Sequence, residues 1–197
     1  MTLHFEVINR FQAAASADAL LYTPLNAGLT FRRSRVYTVE ITGDGQKARE
    51  YLLSVLVDPI SQECTEQNAP ILEGALFTID YGMKAGALDL EKEAILQNYR
   101  GRRNMGFTMD GLKITQRVYV FGQGDKDALA ARFAKDVCNP AIHNWTIASP
   151  FSFPIHMSAK TYRTVPVRNL SSDELLELSK KQKLSLYRED MEVVQQI

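Results

Sequence analysis

"RVYVFGQGDKDALAARFAKDVCNPAI" (117–142) follows the same plan as "RVYTVEITGDGQKAREYLLSVLVDPI" (35–60). The Arg-Val-Tyr that begins each run recurs at an offset of 82 residues, and Asp58-Pro59 recurs as Asn139-Pro140 at an offset of 81. We interpret the difference as a single-residue insertion or deletion in the turn, where length changes are tolerated. Self-similarity at a fixed spacing predicts two copies of one structural unit.

Each copy has the same order of local patterns. A run rich in β-branched and aromatic residues predicts a strand, and a glycine-aspartate turn ends it. Apolar residues at helical spacing then predict a helix, which the proline stops. A final strand is predicted over "QECTEQ" (62–67) in the first copy and "HNWTIA" (143–148) in the second. The apolar residues of the two helical windows are Ala48, Leu52, Val55, Leu56, Leu129, Phe133 and Val137.

The residues that precede each run complete the unit. "LHFEVI" (3–8) and "ALFTIDY" (75–81) read as strands, and helices are predicted over 11–22 and 90–99. A further strand is expected before each Arg-Val-Tyr. The chain is therefore predicted to be an α+β protein with tandem ferredoxin-like (βαββαβ) repeats, whose antiparallel sheets form a pseudo-dimer.

The C-terminal part changes character. Three prolines and no helical period over 149–169 predict an extended connector. Ser171 and Glu174 form a capping-box pattern before a helix, and Ser185 is a candidate cap for a second one. The sequence ends at Ile197 without a capping signal, and we expect a truncated piece or a tail that docks onto a partner. The predicted domains are 1–72, 73–148, 149–169 and 170–197.

The composition argues against several classes of partner. Lys and Arg together number 23, as do Asp and Glu, so the chain lacks the positive field that gathers nucleic acid or anionic membrane. The basic clusters "FRRSR" (31–35) and "RGRR" (100–103) are interpreted as solvated loops. An RNA-recognition module is disfavoured because the third strand lacks its Gly-Phe signature. The absence of a signal-peptide pattern or a long apolar run predicts a soluble, cytoplasmic protein.

The chemical motifs are weak. "GDGQKA" (43–48) matches G-x-G-x-x-A, but Asp127 breaks the pattern in the second copy, which favours a glycine turn over a dinucleotide site. Cys138 is expected to be a buried thiol and not a nucleophile. Glu91 and Glu93 are interpreted as part of a solvated helix face. No catalytic, cofactor-binding or metal-binding residue is predicted.

Three segments carry a resemblance: "LDLEKEAILQNY" (88–99), "ITQRVYVFG" (114–122) and "VCNPAIHNWTI" (137–147). They resemble successive segments of the small, PurS-type subunit of phosphoribosylformylglycinamidine synthase. "VDPISQE" (57–63) is similar to the corresponding turn in the first half of the fused, long-chain form. "SSDELLELSKKQKLSLYREDMEVVQQ" (171–196) resembles the start of the linker that leads to the synthetase core.

The resemblance implies a role in purine biosynthesis. That family is an ATP-dependent C–N ligase, which makes formylglycinamidine ribonucleotide from formylglycinamide ribonucleotide, ATP and glutamine. Its small subunit, a dimer, bridges the glutaminase and the synthetase and helps to shield the transferred ammonia. The ATP and Mg sites and the glutaminase cysteine belong to segments that this sequence does not contain. The isolated chain is therefore expected to be inactive, with synthetase and glutaminase segments as its partners.

Two further expectations follow. Asp58, Asn139, His143 and Trp145 are the candidate partner contacts, although His143 is also consistent with an ordinary strand histidine. The alternative function is a stand-alone ferredoxin-like module that binds a small ligand at the seam between the repeats. An enzyme in its own right is the third possibility.

Overall fold

The computed structural model describes residues 1–67, 69–148, 167–182 and 186–196. The chain divides into two units, Met1–Phe153 and Pro154–Ile197. The first is a mixed α+β structure, and the predictions of the α+β class and of antiparallel pairing are confirmed; its described strands form one sheet of seven and not two separate sheets. The strands are β1 (Thr2–Asn9), β2 (Ala15–Ser16), β3 (Thr30–Gly43), β4 (Gln62–Thr65), β5 (Phe77–Met83), β6 (Phe107–Phe121) and β7 (His143–Ala148). The helices are α1 (Gly45–Leu56), α2 (Leu90–Arg100), α3 (Lys126–Val137), α4 (Ser172–Gln182) and α5 (Arg188–Gln196).

The sheet has a symmetric strand order, β4-β1-β3-β6-β5-β7, with β2 paired to β3. The long strands β3 and β6 pair in the middle of the sheet. Outside β3 lie β1 and then β4, all from the first half (1–72), and outside β6 lie β5 and then β7, all from the second half (73–148). The regular part of the ladder between β3 and β6 has five residue pairs on either side of the pair Arg35–Gln116. We call this middle pair, together with the adjacent pair Ser34–Arg117, the junction.

The structure corrects the alignment of the two copies. An offset of 81 residues carries the bounds of α1 onto those of α3, and it carries Val39 onto Val120, both fully buried. The offset of 82 that matches the letters Arg-Val-Tyr is wrong, because it aligns Tyr37 with Tyr119 on the opposite face of the sheet. A shift of one residue exchanges the two faces of a strand.

The three helices on the sheet each begin at an aspartate. The Asp44 carboxylate accepts hydrogen bonds from the backbone N–H groups of Gln46 and Lys47, and Asp125 caps α3 in the same way. Asp89 caps α2. Such caps satisfy backbone donors that the first helical turn leaves unpaired. The same hydrogen bonds, chiefly the one from Lys47, lower the pKa of Asp44.

Two hydrophobic cores lie between the sheet and the helices. The first core contains Phe5, Val7, Tyr37, Val39, Ile41, Ala48, Tyr51, Leu52, Leu56, Ile95, Phe107, Met109, Leu112 and Ile114. The second core contains Ala17, Leu21, Leu29, Phe31, Phe77, Ile79, Val118, Val120, Ala130, Phe133, Ala134 and Cys138. The helical windows predicted in α1 and α3 supply Leu52 and Phe133, both completely buried.

Each core combines residues from both halves of the chain, an arrangement we call crossed packing. Ile95 of α2, from the second half, packs in the first core with α1. Ala17 and Leu21, from the connection between β1 and β3, pack in the second core with α3. Each core therefore needs residues from both halves of the chain.

The helix predicted over 11–22 is wrong. The structure has the strand β2 and a short 3-10 helix, Ala17–Leu20, in that segment. The Asp18 carboxylate accepts backbone hydrogen bonds from Leu25 at 2.8 Å and Asn26 at 3.1 Å, which turns the chain instead of extending a helix. The prediction of a separate strand before each Arg-Val-Tyr is also wrong. The residues before and after the start of each Arg-Val-Tyr belong to one continuous strand, β3 or β6.

The second unit contains α4 and α5, which pack on each other. The predicted capping box is confirmed: the Glu174 carboxylate accepts from the Ser171 backbone N–H at 2.7 Å, and the Glu174 N–H donates to Ser171 Oγ at 3.4 Å. Ser185 and residues 149–166 of the predicted connector lie outside the described residues. Within the described part of the chain, none of the helices has both the length and the apolar character needed to cross a bilayer.

Candidate functional site

A cleft of about 270 Å³ lies at the junction, on the face of the sheet that carries the helices. On this face, the residues of the first core nearest the cleft are Tyr37 and Ile114. Those of the second core nearest the cleft are Phe31 and Val118. Between them the same face carries polar residues. The lining of the cleft includes Asn9, Gln12, Arg33, Arg35, Tyr37 and Gln116.

Glu91 of α2 binds two residues of the cleft lining. Its carboxylate forms an ion pair with Arg35 and accepts a hydrogen bond of 2.7 Å from the Tyr37 hydroxyl. Burial raises the pKa of Tyr37, against the opposing influence of Arg35. The prediction that Glu91 belongs to a solvated helix face is therefore wrong. It connects α2 to the middle of the sheet.

Arg33 lies on the other side of the cleft. Its guanidinium lies 5.2 Å from the centre of the Phe31 ring, a cation–π contact. No carboxylate among the described residues forms a salt bridge with it. Gln116, opposite Arg35, accepts a hydrogen bond of 2.6 Å from the Tyr81 hydroxyl. The described residues that line the cleft thus include two arginines and no acidic side chain.

A buried polar network occupies the opposite face of the junction. Glu6, 1% exposed, accepts hydrogen bonds from Arg117 Nη1 at 2.7 Å, Ser34 Oγ at 2.5 Å and the Ile71 N–H at 3.2 Å. The hydroxyl of Tyr119 also donates to Glu6. Burial, reinforced by the nearby Glu6 charge, raises the pKa of Tyr119.

Arg117 connects this network to the second half of the sheet. Its Nε and Nη2 donate to the two oxygens of Asp80 at 2.8 and 2.7 Å, a bidentate pair. Burial opposes the charge on Arg117, but the hydrogen bonds and charges of Asp80 and Glu6 outweigh burial and raise its pKa. Every group described here has a partner, so the network is suited to stabilising the junction.

The predicted contacts Asp58 and Asn139 both form Asx turns. Asp58 Oδ1 accepts from the Ile60 N–H at 2.9 Å, and Asn139 Oδ1 accepts from the Ala141 N–H at 2.9 Å. Side-chain and backbone hydrogen bonds, chiefly that from Ser61, lower the pKa of Asp58. One turn leads into β4 and the other into β7, which are opposite edges of the sheet, so the structure does not bring these residues together.

His143 and Trp145 differ in their surroundings. His143 Nδ1 accepts from the Asn139 N–H at 3.1 Å, and its ring lies 5.0 Å from that of Tyr81, so it belongs to the turn. Trp145 is 40% exposed on β7, and the neighbouring Ile147 is 42% exposed. Of the predicted contacts, Trp145 offers the most apolar surface.

The G-x-G-x-x-A pattern has a structural explanation. Gly43 has φ = +107°, and a Cβ there would lie 2.7 Å from the backbone oxygen of Gly106. The N-terminus of α1 is already occupied by the Asp44 carboxylate.

Burial raises the pKa of both Cys64 and Cys138 to about 11, which disfavours the reactive thiolate. The described residues contain no group of three or more potential metal ligands.

Sequence analysis missed the arginines of the cleft. The cluster "FRRSR" (31–35), interpreted as a solvated loop, lies within β3 at the centre of the sheet. The alternation of Phe31, Arg33, Arg35 and Tyr37 on one strand face was the signal that could have identified it.

No known protein family matches the chain. No curated protein matches it either.

Proposed function

We propose that this chain is the non-catalytic N-terminal part of a phosphoribosylformylglycinamidine synthase, a cytoplasmic ligase of purine biosynthesis. In this proposal its two halves are fused ferredoxin-like units that act together as a pseudo-dimer. They join the synthetase and glutaminase segments and help to shield ammonia. The observation that carries the proposal is the symmetric strand order, together with the offset of 81 residues that relates α1 and its Asp44 cap to α3 and its Asp125 cap.

The crossed cores support a scaffold role. Because α2 packs with α1, and Ala17 and Leu21 pack with α3, neither half can move far without disturbing both cores. Close-packed interiors transmit such strain instead of absorbing it. A rigid body of this kind can hold two partner segments at a fixed separation, which a passage that excludes water requires.

The edge strand β7 is the surface we assign to partner contact. Among the described residues it pairs only with β5, and it exposes Trp145 and Ile147. Tryptophan is enriched among the residues that dominate interface energies. Met83 of β5, opposite His143, extends the same apolar surface.

The experiment combines this chain with separately expressed synthetase and glutaminase segments of a long-chain enzyme. We expect the chain to raise glutamine-dependent activity and to leave ammonia-dependent activity unchanged. Trp145→Ala should weaken the complex at least about tenfold, the usual effect of losing a hot-spot residue. Phe11→Ala is the matched control, because Phe11 is 77% exposed and follows β1, which does not pair with β7. Failure to bind either segment would reject the proposal.

A second candidate is a stand-alone ferredoxin-like module that binds a small ligand at the junction. The cleft beside Arg33 favours it. A small molecule that raises the melting temperature of the chain alone would support this candidate. ATP turnover by the chain alone would contradict both candidates, because both are non-catalytic.

A further inference from the structure

A polar stretch separates the two cores on the face of the sheet that carries the helices. Along β3, Phe31 and Tyr37 are 8% and 4% exposed, whereas Arg33 and Arg35 between them are exposed. The face that a sheet turns toward helices is ordinarily apolar. Here the helices leave the centre of the face open, and two exposed arginines lie there.

The charges around the cleft are unbalanced. Glu91 of α2 neutralises Arg35. Arg33 contacts the Phe31 ring but forms no salt bridge with a described residue. The Arg33 guanidinium therefore has N–H groups that can donate hydrogen bonds to a bound oxygen-rich group. Its planar arrangement of donors fits a phosphate or a carboxylate.

The size and polarity of the cleft restrict the ligand. Its volume of about 270 Å³ is below the usual range of pockets for drug-sized molecules, roughly 300–1,000 Å³. Its lining includes the amides of Asn9, Gln12, Gln62 and Gln116, which can bind hydroxyl or carbonyl groups. A dinucleotide is too large for such a space, and an apolar ligand would find little contact.

We propose that the junction cleft binds the oxyanion group, phosphate or carboxylate, of a small polar molecule. Arg33 supplies the charge-assisted hydrogen bonds, and the amide side chains of the lining bind the remainder. Arg35 is a secondary contact, because it is already paired with Glu91. This inference does not rest on the scaffold role, and it gives the ligand-binding alternative a chemical class.

The test titrates the full ¹⁵N-labelled chain with inorganic phosphate, glycerol 3-phosphate or succinate, at constant ionic strength. We expect saturable NMR shifts in the Arg33 Nε–H and Gln116 side-chain amide resonances. Glycerol 3-phosphate should bind more tightly than inorganic phosphate if the amides contribute. Succinate distinguishes carboxylate from phosphate recognition.

Variants test the assigned role of Arg33. Arg33→Gln should weaken binding at least about tenfold, because charge-assisted hydrogen bonds are lost. Arg33→Lys keeps the charge but not the fork and should be intermediate. Arg103→Gln, at another exposed arginine, should bind as the wild type does. Absence of saturable shifts with all three probes, or equal weakening by Arg103→Gln, would overturn the proposal. Neither result would bear on the binding of synthetase or glutaminase segments.

Discussion

Glu6 and Arg117 are 111 residues apart in the sequence, and their side chains form a salt bridge of 2.7 Å inside the folded chain. The Glu6 side chain is 1% exposed and that of Arg117 is 13% exposed. The pair connects β1 to β6, so it joins the two halves of the sheet. Arg117 extends the connection to Asp80 of β5.

Arg117→Met should destabilise the protein strongly, because it leaves Glu6 buried without its cation. Removing one partner of a buried pair typically costs about 3–5 kcal/mol. The free energy of urea-induced unfolding measures the loss. Arg35→Met is the matched control: the Arg35–Glu91 side chains are 45% and 31% exposed, and such pairs contribute about 1 kcal/mol or less. Equal losses in the two variants would contradict this ranking.

The crossed packing predicts that the two cores unfold together. Ile95→Ala removes a side chain from the first core and should cost roughly 2–4 kcal/mol. The fluorescence of Trp145, the single tryptophan, reports on β7 in the second half. We expect its urea midpoint to fall in Ile95→Ala, although the substitution lies in the other core. Leu88→Ala, at a residue that is 69% exposed, should leave the midpoint nearly unchanged.

Separate transitions would contradict this expectation. If Trp145 reported the wild-type midpoint in Ile95→Ala while amide exchange in β1 accelerated, the two cores would be independent.

The thiols predict a pH dependence. Cys64 and Cys138 have pKa values raised to about 11, mainly by burial, from an ordinary value near 9. At pH 8 the thiolate fraction should therefore be about a hundredfold lower than in the unfolded chain. A raised pKa contributes stability that is fully present below pH 9 and is lost as the pH rises through 11.

Labelling with a thiol reagent at pH 8, with and without urea, checks this prediction. Rapid labelling of Cys138 in the folded protein would contradict it, since this residue is also 3% exposed.

Gly43→Ala should destabilise the protein by more than about 1 kcal/mol, because the native backbone conformation is incompatible with a side chain. At φ = +107° the added Cβ would also collide with the Gly106 backbone. Gly86→Ala is a matched control: its φ is +89°, but a Cβ there meets no atom within 4 Å. Thermal unfolding of both variants separates the collision from the backbone strain. A smaller loss in Gly43→Ala than in Gly86→Ala would refute the explanation.

Local chemistry made much of this fold predictable. The glycine-aspartate turns mark the starts of α1 and α3, and the Asp-Pro and Asn-Pro turns mark their ends. Asp58-Pro59 and Asn139-Pro140 already carry the offset of 81 that also relates the bounds of α1 and α3. The matching letters Arg-Val-Tyr misled the alignment because letters do not record which face of a strand a residue occupies.

The features that sequence reasoning missed depend on distant contacts. The Asp18 turn prevents the helix predicted over 11–22 through bonds to Leu25 and Asn26. The spacing of apolar residues in α1 and in α2 likewise does not show that the two helices pack together. The charge of the cluster "FRRSR" (31–35) predicts a solvated loop, although all five residues lie within β3. Of the four predicted partner contacts, Asp58, Asn139 and His143 make hydrogen bonds within their turns.

The pair at the middle of the ladder has a consequence for how such a sheet could arise. Two identical chains related by a twofold axis would place the same side chain on both sides of that axis. Arginine would then face arginine, and like charges directly opposite each other on neighbouring strands are destabilising. In a single continuous chain, Arg35 faces Gln116 instead. Covalent connection thus frees the centre of the sheet to be chemically asymmetric, a freedom that a homodimer lacks.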